Sequence, residues 1–325
     1  MMTARARGSG ESFVPLPCRL SGGQVIGNEP RFGPAPVGNT GAEPGNRPLV
    51  LVSVLGIIVV GVLWIGILGK VFTGGSRVVQ GVPLAVGEQT ELTEPATPGD
   101  ISRNPLLSPG REVTAAQCSL PALGTTAPEL EAFYREGLVC LDKAWTPVLR
   151  AVGKPMVSPK LSIADIPKAK CGVSPTEEEA LAFYCNRDRT IYMPRDRLMR
   201  AAGDSAPYHL AVLGHEYGHH VQALTGILSA AATQEDTEDE DAALTVSRRT
   251  ELQANCLSGL FLDAARRGGA LESDFVDEAV DSFGDTLSSD THGSRRNQLE
   301  WAERGAKGGT TASCDTWSAS TTDVE

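Results

Sequence analysis

The stretch His215-Glu216-Tyr217-Gly218-His219-His220 contains the pattern HExxH, inside a segment whose apolar residues recur at helical spacing. Residues four apart share one face of an α-helix, so His215 and His219 can direct imidazole nitrogens at one metal ion. Glu216 stands beside that position without being a ligand, and from there a carboxylate can act as a general base. The motif therefore predicts a catalytic site that holds one Zn²⁺.

The sequence on either side of the motif predicts a single amphipathic helix. Asp204 or Ser205 can cap its start, and Gly226 can end it. We expect His209 and His220 to be hydrogen-bonded helix histidines at the edge of the core and not metal ligands. The apolar side of this helix, roughly opposite the two ligand histidines, consists of Leu210, Leu213, Tyr217, Val221 and Leu224.

A third ligand must come from elsewhere, because a catalytic zinc ion uses three protein ligands and keeps one position open. The long helical pattern between residues 241 and 267 supplies Glu251 as the candidate. Asn255, one turn later on the same face, can hydrogen-bond the distal nitrogen of a ligand histidine and fix its tautomer. The alternative for Glu251 is an exposed helix carboxylate.

Four segments between Cys171 and Gly305 have a recognisable pattern: FYCNRDRTIYMP (183–194), HEYGHHVQ (215–222), ELQANC (251–256) and THGS (291–294). Through these segments the region resembles a family of bacterial, gluzincin-type neutral zinc metallopeptidases, most of them expected to be membrane-anchored. The resemblance implies the same three ligands, with Glu216 as the general base. The family usually has Asp at the position of Asn255, and a Gln-Arg pair follows its THGS segment where this chain has Arg295-Arg296-Asn297-Gln298.

His292 is the histidine that lies outside the 209–220 cluster. Catalysis of the gluzincin type needs a donor to the oxyanion from outside the zinc helix, and we assign this role to His292. Gly293 would let the loop approach the site closely. The alternative is that His292 only helps Ser294 to cap the last helix.

The first hundred residues predict a membrane anchor between two segments without a core. Residues 1–48 hold seven prolines and nine glycines, which indicates a disordered tail. A run of twenty uncharged residues begins at Leu49, and residues 49–69 therefore predict one transmembrane helix. A cleaved signal sequence or a buried core helix is the alternative. We expect residues 70–117 to form an extracytoplasmic stalk and the catalytic domain to span 118–305, followed by a loose polar tail at 306–325.

The charge and cysteine distributions predict that the domain lies outside a bacterial cell membrane. The tail before the anchor carries five arginines, which places the N-terminus in the cytoplasm. Six of the seven cysteines follow the anchor, an even number that suits an oxidising compartment. Six cysteines allow fifteen pairings, and reduced or zinc-bound cysteines are the alternative. Cys171–Cys185 closes a short loop and is favoured by the resemblance; proximity and elimination give Cys118–Cys140 and Cys256–Cys314.

The remaining patterns predict a scaffold of helices and short strands. A helix should begin at Thr126, where Thr-Ala-Pro-Glu makes a capping box. Residues 155–163 and 181–194 predict strands, and Thr190–Met193 is either the edge strand that receives substrate or an ordinary structural strand. Residues 235–241 carry six acidic side chains and predict a solvated loop that favours the start of the next helix.

Together these features predict an α+β fold, a mostly helical zincin-like metallopeptidase domain with a small sheet, after one transmembrane helix. The predicted function is a membrane-anchored zinc metalloendopeptidase that hydrolyses peptide or protein substrates with a zinc-activated water. The alternatives are a zinc-containing but inactive envelope binding or scaffold protein, and a structural envelope protein with a coincidental motif. A net charge of -11 without a basic stripe argues against nucleic acid as a partner.

Overall fold

The computed structural model describes residues 101–286 and 289–325. The predicted tail at 1–48, the predicted transmembrane helix at 49–69 and the first part of the predicted stalk lie outside these residues. Within the described ranges, no helix has the length and apolar character needed to cross a membrane.

These residues form an α+β fold that is mostly helical and has one three-stranded sheet. The helices are α1 (Ala127–Ala151), α2 (Arg195–Ala202), α3 (Ala206–Thr225), α4 (Ile227–Thr237), α5 (Glu240–Arg267), α6 (Ser273–Asp281) and α7 (Arg295–Ala306). The strands are β1 (Lys160–Ser162), β2 (Phe183–Cys185) and β3 (Thr190–Tyr192).

The helix ends are formed by the capping residues that the sequence indicates. The Ser205 hydroxyl caps α3 by accepting a hydrogen bond from the Tyr208 N–H at 3.3 Å. Gly226 ends the same helix with a φ of 84°, a left-handed conformation that glycine adopts without strain. The Thr126 N–H donates to the Glu129 carboxylate at 3.1 Å, which forms part of the expected capping box of α1. The predicted helix bounds are therefore confirmed where the local signals are strong.

Fewer residues of the acidic segment 235–241 form a loop than we expected. Residues 227–237 form α4, because Ile227 and Leu228 bury their side chains in the core. Asp239 then caps α5, and its carboxylate accepts a hydrogen bond from the Ala242 N–H at 3.0 Å. Most of the acidic residues therefore lie in the last turn of α4 or at the start of α5. Those at the start of α5 are favourable, because carboxylates interact well with a helix N-terminus.

Helix α5 is the centre of the helical layer and packs against α1, α3, α4, α6 and α7. Two glycines let α5 and α7 approach until their backbones touch. A Cβ atom at Gly259 would overlap the carbonyl oxygen of Ala302, and one at Gly305 would overlap the carbonyl oxygen of Cys256. This close packing brings the start of α7, and the loop before it, alongside the middle of α5.

The sheet has the strand order β1-β3-β2, with β3 parallel to β1 and antiparallel to β2. Of the two alternatives for Thr190–Met193, the structure supports the ordinary structural strand and not the edge strand, because β3 is paired on both sides. Among the described strands, β1 and β2 lie at the two edges of the sheet, and β2 also contacts α3. Strands of three residues carry too little alternation to indicate their order in a sheet.

Residues 101–117 pack onto the helical domain, although we expected them to belong to the stalk. Leu106 and Val113 are buried. The Ala116 N–H donates to the Ala264 carbonyl at 3.0 Å, and the Arg267 guanidinium donates to the Val113 carbonyl at 2.8 Å. Backbone hydrogen bonds of this kind leave no periodic pattern in the sequence, so the predicted start at residue 118 is too late.

The segment 306–325 is also packed, which corrects the prediction of a loose tail. Thr311, Thr316 and Val324 are buried. The Trp301 indole N–H donates to the Asp323 carbonyl at 2.7 Å. The polar composition indicated exposure, but the Thr311 and Thr316 hydroxyls donate hydrogen bonds to backbone carbonyls. These polar groups are therefore buried without being left unsatisfied.

The six cysteines of the described residues form three disulfides, and the predicted pairing is confirmed. Their Cα–Cα distances are 5.5 Å for Cys118–Cys140, 5.8 Å for Cys171–Cys185 and 5.5 Å for Cys256–Cys314. The first bond ties the 101–117 region to α1, the second closes the loop before β2, and the third ties the C-terminal segment to α5.

Candidate metal centre

The crossing of α3 and α5 brings His215, His219 and Glu251 together. The two histidine Nε2 atoms are 3.0 Å apart. The Glu251 Oε2 atom lies 3.2 Å from the His215 Nε2 and 3.4 Å from the His219 Nε2. All three residues are buried, so Glu251 is not the exposed helix carboxylate that was its alternative.

The dimensions of this triangle fit a zinc ion. Bonds of about 2.0–2.1 Å in tetrahedral geometry separate neighbouring ligand atoms by about 3.3–3.4 Å. Among the described residues, the buried Glu251 Oε2 has no well-directed hydrogen-bond donor, and the Nε2 atoms of His215, His219 and His292 surround it at 3.2–3.4 Å. A buried carboxylate in this position needs a positive charge beside it, either a metal ion or a protonated imidazole. The donor set of two imidazoles and one carboxylate is therefore suited to hold Zn²⁺.

Both candidate ligand histidines are oriented by amide side chains. The His215 Nδ1 lies 2.7 Å from the Asn255 Oδ1, as the sequence predicted. The His219 Nδ1 lies 2.8 Å from the Gln222 Oε1. An amide oxygen accepts hydrogen bonds, so each ring carries a proton on Nδ1 and turns its Nε2 toward the site.

Gln222 was missed by the sequence reasoning. Its Nε2 donates to the Thr250 carbonyl at 2.8 Å and to the Gln253 Oε1 at 3.0 Å, and these bonds force its oxygen toward His219. In the sequence, the only indication of its role is that a glutamine follows the second ligand by one helical turn. Its burial is known from the structure. Its partners are on α5, so the network could not be found before the fold was known.

Glu216 is buried next to the ligands, and among the described residues its Oε2 has no hydrogen-bond partner. Burial raises the pKa of Glu216, against the opposing influence of the two ligand histidines and of the Tyr184 backbone N–H. A raised pKa makes a carboxylate a better acceptor of protons. The structure therefore places a buried carboxylate with a raised pKa beside the candidate ligands.

His292 lies at the rim of the triangle, with its Nε2 3.4 Å from the Glu251 Oε2. Its Nδ1 is 3.1 Å from the Ser289 hydroxyl. The cap of α7 is Ser294, whose hydroxyl accepts from the Asn297 N–H at 3.3 Å, so the helix cap does not explain His292. Burial lowers the pKa of His292 to about 4, and the ring is therefore neutral near pH 7. This loop histidine therefore contacts the same carboxylate oxygen as the two candidate ligand histidines.

His209 and His220 are structural, as the sequence predicted. The His209 Nε2 donates to the Gly203 carbonyl at 3.1 Å. The His220 Nε2 donates to the Val157 carbonyl at 2.6 Å, and its Nδ1 lies 3.0 Å from the Tyr184 hydroxyl. Burial lowers the pKa of His220 to about 4, so this ring is also neutral and serves to hold β2 against α3.

Comparisons with known proteins identify relatives of this chain. The family model described as "Putative neutral zinc metallopeptidase" matches residues 104–317. "Uncharacterized protein YpfJ" of Escherichia coli (strain K12) is 28% identical over 236 residues, which cover 66% of this chain and 80% of that protein. "Uncharacterized protein Rv2575" of Mycobacterium tuberculosis (strain ATCC 25618 / H37Rv) is 28% identical over 209 residues, which cover 55% of this chain and 68% of that protein. No solved structure has significant similarity to the chain.

Proposed function

Because the chain belongs to the family described as putative neutral zinc metallopeptidases, we propose that it is a zinc metalloendopeptidase that hydrolyses peptide bonds in peptide or protein substrates. The observation that carries the proposal is the convergence of His215, His219 and Glu251 beside the buried carboxylate of Glu216. A site that only stored or carried zinc would not need an acid–base group next to the ligands.

The proposed mechanism assigns the proton transfers to Glu216. Zinc held by the three ligands would supply a Lewis acid that polarises the scissile carbonyl and makes a water molecule a better nucleophile. Glu216 takes a proton from that water and passes it to the leaving amine. Asn255 and Gln222 keep the ligand rings in the tautomer that the site needs.

We assign to His292 the donation of a hydrogen bond to the oxyanion that develops on the scissile carbonyl. Its Nε2 is 3.4 Å from the Glu251 Oε2, and it comes from a loop outside the zinc helix. A preorganised donor at this place stabilises charge that is present only in the transition state.

We also propose that the substrate backbone adds to the free edge of β2. This strand replaces β3, which is paired on both sides and cannot accept another strand. The Tyr184 backbone N–H on β2 is close enough to Glu216 to lower its pKa, so the edge passes beside the general base. Strand addition holds an extended peptide by main-chain hydrogen bonds without demanding particular side chains.

The location outside the cell membrane remains part of the proposal. The uncharged run that begins at Leu49 and the arginines before it support a single anchor with the N-terminus in the cytoplasm. The three disulfides support an oxidising compartment for the domain.

The decisive experiment compares the wild-type protein with Glu216→Gln and His292→Ala on a diverse peptide library, with zinc measured by elemental analysis. Glu216→Gln should keep stoichiometric zinc and lose about 10²- to 10⁴-fold in turnover, because the amide cannot act as a base. His292→Ala should keep zinc and lose about 10²- to 10³-fold in kcat. Glu300→Gln, an exposed carboxylate on α7, is the matched control and should behave as wild type.

Three outcomes would contradict the proposal. Equal turnover by Glu216→Gln and wild type would rule out the mechanism. A wild-type protein that holds zinc but cleaves no peptide in the library would favour the inactive zinc-binding envelope protein. Zinc retained at full stoichiometry by His219→Ala would show that the ligand assignment is wrong.

A further inference from the structure

Gln298, in the first turn of α7, bonds to the chain on both sides of His292. The side chain is buried, with 3% of its surface exposed. Its Nε2 donates to the carbonyl of Gly293, the residue directly after His292, at 3.1 Å. Its Oε1 accepts a hydrogen bond from the Thr286 hydroxyl. One amide group thus fixes the end of the loop that carries His292 (residues 289–294, the His292 loop) to α7, the helix that follows it.

The backbone of Gln298 reaches the metal centre by a second route. Its carbonyl accepts a hydrogen bond from the Asn255 Nδ2 at 3.4 Å. The Oδ1 of the same asparagine lies 2.7 Å from the Nδ1 of His215. Gln298 is therefore linked both to a candidate ligand and to the proposed oxyanion donor.

A merely structural explanation is that Gln298 is a core residue whose polar atoms happen to be satisfied. The other restraints on the loop argue against this. The Gly293 N–H donates to the Ser289 carbonyl at 3.0 Å, and the Ser294 N–H donates to the Glu325 carbonyl at 3.1 Å. These bonds hold the loop to itself and to the C-terminal segment. Gln298 alone among these partners also bonds to Asn255, because its side chain holds the loop while its backbone carbonyl accepts from the Asn255 amide.

We propose that Gln298 is a positioning residue that holds the His292 Nε2 beside the Glu251 carboxylate. This inference rests on the proposed function, since it assumes that His292 acts on the substrate. A displacement of a catalytic group by about 1 Å can cost on the order of 10²-fold in rate. The loss of one hydrogen bond at Gly293 should therefore affect turnover more than it affects folding.

The test uses the full chain with Gln298→Glu and Gln298→Met. An ionised glutamate has nearly the same shape but cannot donate to the Gly293 carbonyl, and methionine has similar length without polar atoms. Both variants should keep zinc and KM and lose about 10- to 100-fold in kcat. Thr311→Val is the matched control, because it loses a buried hydrogen bond to the Leu106 carbonyl far from the site. The control should lower the melting temperature by a similar amount and leave kcat unchanged.

A double-mutant cycle separates positioning from scaffolding. If Gln298 acts through His292, Gln298→Met should reduce kcat by less than about threefold in a His292→Ala background, because there is no imidazole left to place. An equal loss in both backgrounds would overturn the proposal.

Hydrogen exchange measured by mass spectrometry gives a readout that needs no turnover. In both variants the amides of residues 289–294 should exchange faster than in the wild type, while those of α1 should not change. Unchanged exchange in the loop would refute the tether. Faster exchange in a protein whose wild type cleaves no peptide would refute the peptidase function and still support the tether, so the two failures can be told apart.

Discussion

Zinc binding to the metal-free protein should strengthen steeply between pH 7 and pH 9, because a proton occupies the site that the metal needs. Burial opposes a charge on His219, but the carboxylate of Glu251 outweighs it and raises the pKa of His219 to about 9. A zinc ligand must be a neutral imidazole, so binding has to displace this proton. The carboxylate that is suited to hold the metal therefore holds a proton in the metal-free protein.

The magnitude follows from this pKa. Well below pH 9 each unit of pH should change the apparent Kd by about tenfold. Half of the sites still carry the proton at pH 9, so the interval from pH 7 to pH 9 is worth about 50-fold, or about 2.3 kcal/mol. Above pH 9 the affinity should level off. The charges of the neighbouring histidines outweigh burial and lower the pKa of Glu251, so this carboxylate stays ionised throughout and adds no slope.

The same proton affects the stability of the metal-free fold in the opposite direction. The pKa of His219 is raised from its ordinary 6.5, so its contribution to the free energy of unfolding is complete below about pH 6.5. This contribution is lost as the pH rises through about 9. The metal-free protein should therefore melt at a lower temperature at pH 9 than at pH 7. Zinc binding shows the opposite trend, since it is weaker at pH 7 than at pH 9.

The assay is competition for zinc with a chromophoric chelator, corrected for the chelator's own protonation, at half-unit steps of pH. Calorimetry at pH 7 in two buffers with different ionisation heats should count about one proton released per zinc bound. Glu251→Gln is the matched variant: it should bind zinc more weakly, and its slope between pH 7 and pH 9 should be smaller, because the main influence that raises the pKa of His219 is then removed. A wild-type affinity that does not change between pH 7 and pH 9 would refute the reasoning.

Two further predictions concern packing and location. Gly305→Ala should lower the free energy of unfolding by about 3 kcal/mol or more, because the added Cβ would overlap the Cys256 carbonyl on α5. Urea denaturation measures the change in the free energy of unfolding, and Glu300→Ala on the exposed face of the same helix is the control. A change below about 0.5 kcal/mol in Gly305→Ala would contradict the observed helix contact. Protease added to intact cells should degrade the domain, and non-reducing peptide mapping should recover Cys171 linked to Cys185; a protected domain with free thiols would instead place it in the cytoplasm.

The clustering of the three candidate ligands could be predicted from the sequence because it depends on helical periodicity. His215 and His219 are four residues apart, and Glu251 and Asn255 repeat that spacing on a second helix. Local periodicity determines which side chains share a face, and a ligand set built from two helix faces can be inferred without knowing how the helices cross. The Asn255 contact with His215 could be predicted for this reason.

The parts that could not be predicted depend on contacts between distant segments. Gln222 and Gln298 act through partners on α5 and in the His292 loop, and no spacing rule relates those positions. The position of β3 between β1 and β2 depends on pairing between short strands, which is decided by the tertiary fold. Residues 101–117 and 306–325 pack through backbone hydrogen bonds and disulfides, so their composition resembles that of a linker.

The docking of the C-terminal segment has a consequence for the preparation of the protein. The Glu325 carbonyl accepts hydrogen bonds from the Ser294 N–H at 3.1 Å and from the Asn297 Nδ2 at 2.5 Å, and Ser294 is two residues from His292. A polyhistidine tag joined after Glu325 would emerge at this loop and offer extra imidazoles within reach of the candidate ligands. It would inflate the measured zinc stoichiometry and compete with substrate for the open side of the site. Purification through a tag placed ahead of residue 1, or removal of the tag before assay, avoids both artefacts.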